Sequence, residues 1–136
     1  MDLVLKDTAS HIGYPQRGEV WLVSLEPTRQ AKLGKSSKTT ICATRCGSEI
    51  QKTRPCIVIS PDEINKLLRT VIVAPLTSTI KNYPTRVTIV FQTRESSIAL
   101  DQIRSVDKSR LLRKLGNLSK EDSETISSVS IAMFTQ

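Results

Sequence analysis

The stretch EIQKTRPCIVIS, residues 49–60, changes character at a single dipeptide, Arg54-Pro55. Before it the chain is polar and charged; after it the residues are almost wholly apolar. That apolar run is too short for a helix and rich in β-branched side chains, so it reads as a buried strand entered through a proline. Pro55 also holds the preceding residue in an extended conformation, so the Arg54 side chain leaves the strand mouth in a defined direction. Two readings of that arginine compete. Its stem packs and its head is solvated, or its planar guanidinium is aimed at an anion.

Working outward, GEVWLVSLEP (Gly18 to Pro27) reads as the first strand and PCIVIS as the second. PDEINKLL (Pro61 to Leu68) places proline first and acids next, as a short helical turn does. TVIVAPL (Thr70 to Leu76) is a third strand. TRVTIVF (Thr85 to Phe91) is a fourth, with Arg86, Thr88 and Val90 on one face and Val87, Ile89 and Phe91 on the other. QTRESS then reads as a turn, and IALDQIRSV (Ile98 to Val106) as a fifth strand. In the tail, Ser119 stands three residues before Asp122 as a helix start, and Ile126, Val129 and Met133 recur at helical spacing. Five short strands and a late helix predict an α+β fold, a small, strongly bent antiparallel sheet closed by that helix.

At 136 residues the chain has the length of one domain with a single core, and 38% hydrophobic with 24% charged residues is the composition of a globular protein. No apolar run approaches the roughly 20 residues that span a bilayer, so no membrane association is expected. Residues 1–15 carry Asp2 and Asp7, which fit a signal or transit peptide poorly. They read as a flexible arm before a single domain over 16–136, and the protein as cytoplasmic. The cysteines are Cys42, Cys46 and Cys56, and the one histidine is His11. That set supplies no four-ligand zinc site, so no metal or other cofactor is expected, and Cys56 reads as a small core residue.

The net charge of +7 favours a polyanionic partner. Aromatic residues are too few for a sheet that stacks bases along its length, so any RNA contact would rely on arginine, lysine, hydroxyls and backbone. Residues 30–46, QAKLGKSSKTTICATRC, contain Lys32, Lys35, Lys38 and Arg45 and no acid; they supply four of the seven net charges. This segment reads as a basic insertion in the loop between the first two strands, where length costs little.

With the insertion set aside, G-S-E-x-x-x-x-R-P (residues 47–55), V-A-P-L-T (73–77) and L-D-Q-I-R (100–104) occur in that order. In this combination, over roughly residues 15–134, the chain closely resembles the MazF/PemK family, the toxin halves of bacterial toxin–antitoxin pairs. The resemblance implies an SH3-like β-barrel and a homodimer. It also implies a metal-independent endoribonuclease that cuts single-stranded RNA, and a cognate acidic antitoxin that occupies the groove. Cleavage without metal is most easily done by the RNA's own 2′-hydroxyl attacking the adjacent phosphorus. That step needs a proton acceptor, a proton donor and cationic or hydrogen-bonding groups facing the phosphorane oxygens.

By resemblance, Arg54 matches the family's catalytic arginine and Thr77 its catalytic threonine. A guanidinium with a pKa above about 12 is a poor base at neutral pH, so charge stabilisation is the expected role of Arg54. Glu49, Gln51 and Lys52 fall on the loop that lines the RNA groove in the family. Asp101 and Gln102 match its base-reading pair. Strand neighbours point oppositely, so only one of the two faces the groove unless a bulge intervenes, and Gln102 is the expected one. Lys81 and Arg86 are candidates for phosphate contacts. Arg104 either shares the Gln102 face or pairs internally with Asp107 or Glu19. The basic insertion stands beside this site. It acts as a flap that tightens RNA binding, hides the groove and weakens activity, or is disordered. The alternative function is a non-catalytic toxin of the same fold that binds a protein target such as gyrase.

Overall fold

A computed structural model describes residues 13–26, 50 and 52–135. The basic segment 30–46, Glu49, Gln51 and most of the expected N-terminal arm lie outside the described residues. The elements are β1 (Glu19–Ser24), β2 (Thr53–Val58), α1 (Asp62–Leu67), β3 (Thr70–Thr77), β4 (Arg86–Phe91), β5 (Arg94–Ala99), β6 (Arg104–Asp107), β7 (Leu111–Asn117) and α2 (Lys120–Met133). Short 3-10 turns at Leu100–Gln102 and Lys108–Arg110 flank β6.

All the pairings are antiparallel, in the order β4-β5-β3-β2-β1-β7, with β6 also on β3. The sheet curls because β3 changes partners along its length. Thr70–Val73 pair with β6, Val73–Pro75 with β2, and Leu76–Thr77 with β5. Irregularities in the β1–β7 register add to the bend. The result is the α+β arrangement expected, a strongly curled antiparallel half-barrel with the C-terminal helix on one side.

Each face of the sheet has its own apolar cluster. On the helix side Ile57, Ala74, Leu76, Val87, Ile89, Ile98 and Leu100 surround Ile126 of α2, with Val129 and Met133 at the margin. Helical spacing in the tail therefore marked the packing stripe. Ser119 starts this helix by accepting a hydrogen bond from the Asp122 backbone N–H. On the other side Val23, Leu25, Cys56, Val58, Val71, Val73 and Val106 form the second cluster.

Three expectations need correction. The strand expected over Ile98–Val106 is two strands, β5 and β6, divided by the Leu100–Gln102 turn. Both run along the same edge of β3. Five residues (99–103) lie between the paired Ile98 and Arg104, against two (74 and 75) between Leu76 and Val73. The three additional residues are accommodated as that turn. The QTRESS turn shrinks to Gln92 and Thr93, whose φ of 52° and 64° make a tight hairpin, and Arg94 onward is already strand. The expected total of five strands also omits β7. Its sequence LLRKLGN has no clean alternation because it lies half-exposed at the sheet margin, held by pairing with β1.

Candidate active site

The opening dipeptide acquires a structural meaning at the centre of the sheet. The β2–β3 ladder runs from Val58↔Val73 to Cys56↔Pro75 and stops there. Just past that last rung lies Pro55, which lacks the N–H that the next hydrogen-bonded rung needs. β2 continues toward its start alongside β1, while the end of β3 turns to β5. The sheet forks at Pro55. Carrying the register two residues past the last rung sets Arg54 against Thr77, each half-buried at the fork.

Cross-strand partners share a face, so the registers place side chains in rows. Thr77, Ser97 and Thr88 form one row, to which extension of the β2–β3 register adds Arg54; the pairs Cys56 with Pro75 and Ala99 with Arg86 belong to the next. Both rows lie on the face opposite α2. The second is covered: Cys56 and Ala99 are fully buried. Burial pushes the Cys56 thiol up to about 12, against the opposing pull of the Arg104 and Arg54 charges. Both arginines thus bear on the same buried sulfur. The first row is polar and opens toward solvent at its two ends, Arg54 and Thr88.

The hydroxyl oxygen of Thr77 accepts from the Thr79 backbone N–H at 3.2 Å, a small turn closing the strand. In that contact Thr77 only accepts, so its own O–H is available to donate. Ser97 is fully buried, and among the described residues its hydroxyl has no hydrogen-bond partner.

The Leu100–Gln102 turn resolves the opposition expected between Asp101 and Gln102, because both side chains are engaged. The Asp101 carboxylate receives Nε of Arg86 at 2.7 Å, a second guanidinium nitrogen at 3.1 Å and the Thr85 hydroxyl at 3.0 Å. The paired guanidinium, more than the Thr85 hydroxyl, holds this carboxyl below the usual carboxylate range, and the carboxylate raises the arginine in turn. Gln102 accepts from the Ile50 backbone N–H at 2.6 Å, tying the turn to the segment that leads into β2. In the same segment Lys52 is left-handed, with φ of 73°, and its carbonyl accepts from Leu25 N–H at 3.0 Å. The entry to Arg54 is therefore pinned from two directions.

Arg86 is thus the structural partner of Asp101. Lys81 lies 5.5 Å and the Arg86 guanidinium 5.4 Å from the centroid of Tyr83, a half-exposed ring that the sequence reading had not singled out. An isolated aromatic between Lys81 and Arg86 was the available signal. Arg104 donates to the Leu25 carbonyl at 3.3 Å, while Glu19 pairs with Lys114 and Asp107 accepts from the Ser109 backbone. The structure brings Arg54, Thr77, Gln102 and Lys52 toward the fork. Lys81 and Arg86 gather around Tyr83 at the start of β4, two strands from β3, and the Arg86 guanidinium is joined there by the Asp101 carboxylate.

A cleft of about 300 Å³ lies elsewhere, between α2 and the opposite end of β2, lined by Gly18, Ile57, Ser123, Ser127 and Ile131 among others. It is lined by none of the candidate site residues.

Residues 16–134 match the family of PemK-like, MazF-like toxins of type II toxin–antitoxin systems. The chain is 36% identical over 114 residues to Endoribonuclease MazF9 of Mycobacterium tuberculosis, covering 76% of this chain and 82% of that protein. It is 34% identical over 125 residues to Endoribonuclease MazF of Staphylococcus saprophyticus, covering 87% and 90% respectively. Among solved structures, an endoribonuclease in complex with its cognate antitoxin from a mycobacterial species superimposes with a TM-score of 0.64 at 18% identity, over 87% of this chain and 92% of that one. This last likeness bears on the fold alone.

Proposed function

The chain belongs to the PemK-like, MazF-like toxins of type II toxin–antitoxin systems, and on that premise we propose that the fork between β2 and β3 is where it cleaves single-stranded RNA without a metal. The observation that carries the assignment is that Arg54 and Thr77, one guanidinium and one hydroxyl, each stand two residues beyond the last Cys56↔Pro75 rung, on the two strands that part there.

In the reaction the 2′-oxygen bonds to phosphorus and the bond from phosphorus to the 5′-oxygen breaks. The 2′-hydroxyl loses a proton and the departing 5′-oxygen gains one. The products are a 2′,3′-cyclic phosphate and a 5′-hydroxyl end, and no water is consumed. Arg54 faces the non-bridging oxygens as negative charge gathers on them, and Thr77 donates its O–H to the same group. Gln102 and Lys52 border the fork, and Asp101, braced by Arg86, offers a carboxylate to a base further along the strand. Glu49 and Gln51, which flank Ile50 in the sequence, are further candidates for RNA contact. Lys81 beside Tyr83 supplies a phosphate contact at the far end.

The protein works as a homodimer, with single-stranded RNA as substrate and a cognate acidic antitoxin as inhibitor. The antitoxin-bound mycobacterial endoribonuclease supports the last partner, and the net charge of +7 suits it. No helix among the described residues is long and apolar enough to cross a membrane, and a cytoplasmic site of action fits the substrate.

The test is long single-stranded RNA incubated with the purified protein in EDTA. Discrete cuts with 5′-hydroxyl ends are expected, slowed by roughly 10²–10³ but still measurable in Arg54→Ala and in Thr77→Ala. Cleavage that requires added Mg²⁺ would overturn the mechanism. Growth arrest undiminished by Arg54→Ala would instead favour a toxin that binds a protein target. Deleting residues 30–46 in the same assay shows whether the basic segment aids or obstructs cutting.

A further inference from the structure

We infer that Ser97 is a positioning residue of the cleavage site, the group that fixes the direction in which Thr77 presents its hydroxyl proton. The inference rests on the assignment of Thr77 to the scissile phosphate.

Ser97 stands directly across from Thr77 in the β3–β5 register and from Thr88 in the β4–β5 register. Paired side chains on one face have Cβ atoms about 4.5–5.5 Å apart, within reach of a hydroxyl–hydroxyl hydrogen bond once one rotamer turns. Its neighbours along β5 show how unusual a polar atom is at this depth. Ile98, Ala99 and Leu100 are all buried hydrophobics, and Ser97 is as inaccessible as they are. A buried hydroxyl without a partner loses its bonds to water and destabilises the fold. An alanine would occupy the place without that cost. The hydroxyl therefore has a use that this arrangement leaves unfilled.

The geometry of Thr77 supplies one. Its oxygen has two acceptor sites and one proton. The Thr79 backbone N–H already takes one acceptor site. When the Ser97 O–H donates into the second, both lone pairs of Thr77 are engaged. Its proton is left a single direction, outward along the row toward Arg54. A chain of donors ending on an anion also polarises along its length. Ser97 touches no substrate in this scheme; buried beneath the row, it acts only through Thr77.

The experiment measures RNA cleavage by the wild-type protein, Ser97→Ala, Thr77→Ala and the double variant, with thermal melting of each. Ser97→Ala is expected to lower kcat about tenfold, as one oriented hydrogen bond warrants. KM should not change, and the melting temperature should be equal or higher. In the Thr77→Ala background the same substitution should have no further effect. Equal activity of Ser97→Ala and wild type overturns the inference. So does a loss that follows a lowered melting temperature, or one that persists at full size without Thr77. A wild-type protein that leaves RNA intact removes the underlying assignment too, whereas an active wild type with an equally active Ser97→Ala removes this inference alone.

Discussion

The same strands, β4 and β5, look entirely different from the two sides of the sheet. Toward α2 they present Val87, Ile89 and Ile98, all buried against Ile126. On the reverse they present Arg86, Thr88 and Ser97, interrupted by Ala99. Period-2 alternation makes this possible, because each residue is confined to one face and the faces can be used independently. One side carries the stability of the fold. The other trades apolar area for donors, and does so in rows that end at the fork. A second contrast lies within that polar side. Its covered row, through Cys56, is dry enough to hold a thiol neutral, while the adjacent row, through Arg54, reaches solvent.

The contrast between rows gives the largest expected effect. With the Cys56 thiol pushed up to about 12, from an ordinary value of 9.0, the native protein at neutral pH should be alkylated by a maleimide about a thousandfold more slowly than an exposed cysteine. Mass mapping of the labelled cysteines, native against denatured, checks this. Fast native labelling at Cys56 would mean that the row is open. The sign for stability follows. A thiol whose folded pKa is raised contributes fully below its unfolded value, and that contribution is lost as pH climbs from about 9 towards about 12.

Next in size, Arg54→Ala should reduce cleavage by roughly 10²–10³, the scale for removing one oxyanion-stabilising group, without altering the far-ultraviolet circular dichroism. On the helix side, Ile98→Ala should cost about 2–5 kcal/mol by urea unfolding. Its reverse-face counterpart Thr88→Ala should stay within about 0.5 kcal/mol. Comparable losses for both would erase the distinction between the faces. Ser119→Ala, which removes the cap of α2, should cost about 1 kcal/mol in the same measurement.

The smallest effect concerns Asp101. Because Arg86 depresses its folded pKa, its contribution to stability is complete above the ordinary carboxylate value near 4. That contribution falls away as pH drops from there through the folded value. Asp101→Asn should flatten that acid limb, and a melting series from pH 6 to pH 2 shows whether it does.

Much of this was readable in the residues themselves. The Arg54-Pro55 boundary, the alternation in β4 and the stripe of Ile126, Val129 and Met133 each follow from local conformation and periodicity, and each appears in the fold. The V-A-P-L-T and L-D-Q-I-R motifs led to the family, and with it to Arg54 and Thr77. What escaped was whatever depends on a partner elsewhere in the chain. β7 lacks alternation and exists because β1 offers a ladder. The Leu100–Gln102 turn arises because β3 has three residues too few to match its neighbour. Arg86 could be read as a phosphate ligand until the turn delivered Asp101 to it.

The sequence by itself determined the first four strands, which face of α2 packs, and which arginine and threonine to examine, because torsional preference and burial period act over a few residues at a time. Only the tertiary structure decided that β2 and β3 part at Pro55. It also decided that a serine with no hydrogen-bond partner among the described residues would stand beside the threonine at that opening. Register joins residues far apart in the chain, and no local preference encodes it.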